Sequence, residues 1–122
     1  MIDDPSPDNV SRADELVDLG HLRMRSERSG DEHVIGLFGE LDLAGADRVE
    51  EELLRIESSD VRSIVLDLSG LEFMDSTGVR LILAADARSR DDGKRLLLRR
   101  GPPSVQRVLQ ISGVEQMLAF AD

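Results

Sequence analysis

One stretch of this 122-residue chain gathers the groups that could do chemistry. Residues 71 to 83, LEFMDSTGVRLIL, set two hydroxyls, Ser76 and Thr77, between the carboxylate of Asp75 and Gly78. Val79, Ile82, Leu83 and Ala87 recur at helical spacing after them, so Ser76 falls where a strand hands over to a helix. Serine at such a junction is a natural helix N-cap. The position also suits a covalent phosphate, because unsatisfied N–H groups and the helix dipole favour an anion there. A phosphoryl group would bring a charge of about −1.5 to −2 among Asp75 and Glu72. Gly78 sits in the first helical turn, where glycine is about 1 kcal/mol worse than alanine, and its missing side chain suggests close approach by another molecule. In GELD, residues 39 to 42, glycine marks a turn and Asp42 caps a following helix, with an acidic rim near Ser76 as its second possible role.

Other chemistries find no support. The chain has no cysteine, which removes disulfides, thiolate nucleophiles and Cys-ligated zinc. His21 and His33 have no metal-ligand spacing to each other or to acids, and there is no P-loop, G-x-G-x-x-G or G-x-S-x-G motif. Asp67 stands at the end of a strand-like run, as a receiver-domain phosphoacceptor would. The acidic pair Asp3 and Asp4 lies outside any strand, however, and Lys94 precedes its strand instead of ending it. Lys94 is also the single lysine among 14 arginines, which leaves little for Schiff-base chemistry. Arg99 and Arg100 read as a solvated strand end.

The elements that must position Ser76 follow from periodicity. Residues 1–20 hold two prolines and six acids against one arginine, half of the net charge of −10, and read as a flexible acidic arm. Residues 21–122 form the domain. Leu22 and Met24 alternate with arginines, and a turn at SGD leads into HVIGLFGELD, an antiparallel hairpin. Ala46, Val49, Leu53 and Ile56 mark a helix, SIVLDL a central strand, KRLLLRR another, and Val105, Val108 and Leu109 a third helix closed by Gly113. The tail VEQMLAFAD is ambiguous between strand and helix. The order β, β, α, β, α, β, α predicts a single α/β domain with a mixed sheet. The acidic balance argues against a nucleic-acid surface, and no apolar run reaches the roughly 18 residues of a membrane span. A cytoplasmic location without signal peptide is the expectation.

With GELD, the segment IVLDLSGLEFMDSTG and this order of elements in place, residues 21 to 120 resemble the STAS domain family, specifically bacterial anti-sigma factor antagonists. The resemblance implies a mixed four- to five-stranded sheet with helices packed mainly on one face. It implies that Ser76 is phosphorylated by a cognate anti-sigma factor that is itself a serine kinase. The unphosphorylated form would bind that kinase and release a sigma factor, and a PP2C-type phosphatase would reset the switch. The protein would then be a substrate and no enzyme; it would hold no cofactor, and ATP and Mg would be supplied at the kinase. Asp42, Asp75, Ser76, Thr77, Gly78 and Arg80 are the positions implied to meet the partner. Arg80 departs from the small residue of many relatives and alters the charge one turn after Ser76. The alternative is a STAS scaffold or transporter-associated subunit in which Ser76 is only a cap.

Overall fold

Alternation of apolar and polar residues builds the first half of the sheet. A computed structural model of the chain describes residues 16–18 and 20–121; most of the expected arm therefore lies outside the described residues. Strand β1, Leu16–Asp18, pairs antiparallel with β2, Leu22–Ser29, which pairs antiparallel with β3, Glu32–Leu41. Three residues of the segment expected as an arm, Leu16–Asp18, supply an edge strand. Edge pairing is satisfied by backbone groups, which acidic composition does not reveal.

After β3 the chain crosses over through helix α1, Leu43–Glu57, to β4, Ser63–Met74, and through helix α2, Ser76–Asp91, to β5, Arg95–Arg99. Both crossovers return parallel strands, so the five strands stand in sequence order β1-β2-β3-β4-β5. Helix α3, Pro103–Ile111, follows. The ambiguous tail is a little of both: a 3-10 turn over Glu115–Met117, then a single parallel bridge from Phe120 to Leu98. The mixed sheet and its helices agree with the sequence expectation.

One sheet face carries the core. Leu22, Met24, Ile35, Leu37, Ile64, Leu66, Leu96 and Leu98 meet Ala46, Val49, Leu53 and Ile56 of α1, Val79, Ile82 and Ala85 of α2, and Val105 and Leu109 of α3. Each large aliphatic side chain in this layer contributes about 2 kcal/mol by leaving water. The α1 stripe is the one the sequence predicts. In α2 the inward stripe runs through Ala85 and Ser89, and Ala87 is exposed.

Two polar clusters brace the layer. Arg88 of α2 donates from Nε to Glu57 Oε1 at 2.7 Å and from Nη1 to Glu50 Oε2 at 2.9 Å, tying α2 to α1. At the far end of β3, Ser26 Oγ donates to Glu52 Oε2 at 2.6 Å, which leaves His33 Nε2, also 2.6 Å away, to donate to Ser26. Burial holds the His33 imidazole below its ordinary value, against the pull of Glu52. Burial raises the Glu52 carboxyl, but hydrogen bonds from Arg55 and Ser26 outweigh it and keep that group below the usual range.

The β3–β4 ladder slips twice, between Gly36 and Phe38 and between Gly39 and Glu40. Each slip gives β4 one extra residue over its partner, as a β-bulge does. Gly39, expected as a turn, lies inside β3 with a φ of 94°, and a Cβ there would strike the His21 carbonyl. The bulged ends of β3 and β4 finish side by side, with Leu41 opposite Met74.

Candidate functional site

Where β3 and β4 end, each is followed by an aspartate that starts a helix. Asp42 has extended backbone and accepts from the Ala44 N–H at 3.1 Å, capping α1. Asp75, also extended, accepts from the Thr77 N–H at 2.9 Å, capping α2. The Asp75 N–H donates to the Leu41 carbonyl at 3.3 Å, so the sheet ladder reaches one residue past Met74 and holds the two caps together. Asp42 and Asp75 therefore share one sheet edge. This edge is the carboxyl end of two parallel strands, where open α/β sheets place their binding loops.

Ser76 is not the cap. With Asp75 still bonded to β3, capping falls to Asp75 and Ser76 becomes the first residue of α2. Its side chain is exposed, and its hydroxyl has no hydrogen-bond partner among the described residues. A hydroxyl freed from capping is available as an acceptor of a group delivered from outside. Thr77 beside it is half-buried.

Gly78 does not open access for a partner. It is buried, and a Cβ there would run into the Met74 side chain and sit 3.1 Å from Leu41 Cδ2. Its small size serves packing of α2 against the strand ends. Arg80, one turn after Ser76, is exposed and has no ion pair among the described residues. Two large apolar side chains that the sequence did not single out flank the edge: Leu43 is 73% exposed and Phe73 48%. The second β4 bulge turns Met74 inward and Phe73 outward, which simple alternation from Leu71 would not suggest.

The other candidates lie elsewhere. Burial raises the Asp67 carboxyl, yet the Ser69 hydroxyl and N–H, with Arg99 at 3.3 Å, hold it below the usual range. It is an ion-paired strand residue opposite Arg99. Arg100 stacks on Phe120 with its guanidinium 4.4 Å from the ring centroid. Among the described residues no group of three or more His, Asp or Glu side chains could hold a metal ion, and no helix is long and apolar enough to cross a membrane.

Known proteins share this frame. A family model described as "Mlab, STAS domain" matches residues 24–119. The anti-sigma F factor antagonist of Lysinibacillus sphaericus is 35% identical over 82 residues, covering 66% of this chain and 70% of the relative. The anti-sigma factor antagonist SpoIIAA in its unphosphorylated form superposes with a TM-score of 0.70 at 30% identity, over 81% of this chain and 88% of that one. The Bacillus cell fate determinant SpoIIAA in the phosphorylated form gives 0.65 at 28%, over 81% and 91%. With the matched model reaching from β2 to the C-terminal tail, the chain belongs to the STAS domain family.

Proposed function

We propose that the chain is an anti-sigma factor antagonist whose partner binding is switched off by phosphorylation of Ser76. The observation that carries this is the placement of Ser76: first residue of α2, exposed, with its hydroxyl unengaged because Asp75 does the capping. The solved SpoIIAA forms, one unphosphorylated and one phosphorylated, support it.

In this reading an anti-sigma factor serine kinase docks on the edge formed by Asp42, Leu43, Phe73 and Asp75 and brings Mg-ATP. Ser76 Oγ attacks the γ-phosphorus, the bond from phosphorus to the ADP oxygen breaks, and the hydroxyl proton passes to the kinase or water. The protein is the substrate of that reaction and works in the cytoplasm without a membrane or nucleic-acid contact of its own. Unphosphorylated, it holds the kinase away from a sigma factor; a PP2C-type phosphatase restores that state.

A new dianion must then be covered by a partner surface beside Asp42 and Asp75. A buried, unpaired charge costs several kcal/mol, and about 3 kcal/mol already weakens binding more than a hundredfold. Mass spectrometry after incubation with the kinase and Mg-ATP should find one phosphate, on Ser76. Ser76→Ala should bind the kinase without being modified, and Ser76→Asp should bind at least about a hundredfold more weakly by calorimetry. No phosphate on Ser76, together with co-purification of a membrane transporter, would favour the scaffold role instead.

A further inference from the structure

Resting on that reading, we propose that Arg80 is a built-in receptor for the phosphate on Ser76. The obvious receptor, the N-terminus of α2, is largely engaged, only the N–H of Ser76 itself having no partner among the described residues. The Thr77 N–H is bonded to Asp75 Oδ1, and the Gly78 and Val79 N–H groups donate to the Asp75 carbonyl at 3.0 and 3.4 Å. What remains at this end is mostly negative: Asp75 and Glu72 around the start of α2, Glu40 and Asp42 on the neighbouring β3 end. A phosphate added here needs a cation.

Arg80 stands four residues after Ser76 on the same helix, so the two side chains share a face with Cβ atoms about 5–6 Å apart. Both are exposed. The other arginines of α2 are occupied, Arg88 by Glu57 and Glu50, and Arg90 by Asp86 at 2.7 Å and the Met117 carbonyl. Arg80 has no such partner among the described residues. An acid N-terminal to a base at this spacing is the favourable orientation. The planar guanidinium also offers two parallel N–H donors to phosphate oxygens, a geometry that lysine lacks. The phosphorylated chain therefore folds Arg80 onto its own phosphate, and a phosphatase must displace that contact.

The test installs phosphoserine at position 76 during protein synthesis, so that it does not depend on any kinase accepting the chain. A 31P NMR titration then compares the phospho-protein with its Arg80→Gln and Arg80→Lys variants, and with Arg107→Gln on α3, another exposed arginine without an ion pair among the described residues. The neighbouring carboxylates are common to all four and cancel. Arg80→Gln should raise the second phosphate pKa by about 0.3–0.7 units, the size expected of a charge-assisted helix pair. Arg80→Lys should fall between, Arg107→Gln should match the parent, and the Arg80 Nε–H resonance should move on phosphorylation. Coincident curves for the parent and Arg80→Gln, or a shift produced by Arg107→Gln instead, would overturn the proposal. So would slower phosphorylation of Arg80→Gln by the kinase with no change in the titration, which would assign Arg80 to the partner's nucleotide. Absence of phosphate after incubation with the kinase would count against the switch itself and leave this measurement intact.

Discussion

The two helix starts at the strand ends are near copies with different contents. One reads Asp42-Leu43-Ala44-Gly45-Ala46-Asp47, the other Asp75-Ser76-Thr77-Gly78-Val79-Arg80. In both, an extended aspartate caps through the second helical N–H and a buried glycine lets the first turn settle on the core. They differ in what faces solvent. The first helical position is an apolar anchor in α1 and a free hydroxyl in α2, and the residue four further on is an acid in α1 and a base in α2. Capping and packing are therefore shared architecture, and the function resides in the two exposed positions that diverge.

The comparison breaks most severely if the shared support fails. Arg88→Ala leaves Glu57 buried without its partner and unties α2 from α1. A loss of about 3 kcal/mol is expected in urea unfolding, with Ser76 misplaced as a consequence. A loss below about 1 kcal/mol would mean that the helices hold their positions by apolar packing alone.

The glycines should separate next. In Gly78→Ala the new Cβ meets Met74 and Leu41, and in Gly45→Ala its three nearest neighbours all belong to Leu22, with Cδ2 at 2.8 Å. Overpacking costs about 1–3 kcal/mol, and about 1 kcal/mol returns from the better helix propensity of alanine. Gly78→Ala should therefore be the more destabilising of the two, by about 1 kcal/mol in matched denaturant titrations. The reverse order would show that Met74 yields more easily than Leu22.

Removing the caps tests likeness directly. Asp42→Ala and Asp75→Ala should each cost about 1 kcal/mol, equal within error by calorimetric unfolding. Both border the docking edge, so both should slow phosphorylation of Ser76, Asp75→Ala the more because Asp75 also sets the start of α2 at Ser76. Matching effects on that rate would erase the functional distinction between the two starts.

The smallest expected effect is a control remote from both. His33 is held below the ordinary imidazole value of 6.5 by burial, so below that pH the unfolded chain binds more protons. Its contribution is complete above 6.5 and is lost as pH falls from there towards the folded value. Glu52, whose folded value is also depressed, adds a loss below 4.5 in the same direction. His33→Gln should flatten the first of these limbs in stability measured against pH, and leave phosphorylation of Ser76 unchanged.

Much of this was legible in the sequence, and the misses have physical causes. Ala46, Val49, Leu53 and Ile56 form a one-sided stripe on a helix packed on one face, so their period betrayed them. The inward stripe of α2 is less plain, since Ser89 is buried and the apolar Ala87 is not. Asp75 and Ser76 are both good cap formers, and sequence does not rank them. The sheet does, by bonding the Asp75 N–H to Leu41. The exposure of Phe73 depends on a bulge that alternation cannot register, and β1 on pairing that acidic composition obscures. Arg80 was legible as a departure in charge, whereas the occupied amides that give it a use were not.

The two slips in the β3–β4 ladder make the location of Ser76 a matter of counting. Between Gly36 and Leu41 the partner strand carries two more residues than β3 does. Those extra residues set the rotation at which β4 reaches its end. A deletion of one residue between Asp67 and Phe73 would leave every side chain of the DSTG segment intact in composition. It would nonetheless turn Phe73 into the core and carry the Asp75 N–H away from Leu41. Length in this short stretch is thus as strict a requirement as the identity of its buried residues, and substitutions at the exposed Ser69 and Glu72 should be tolerated far better than insertions or deletions.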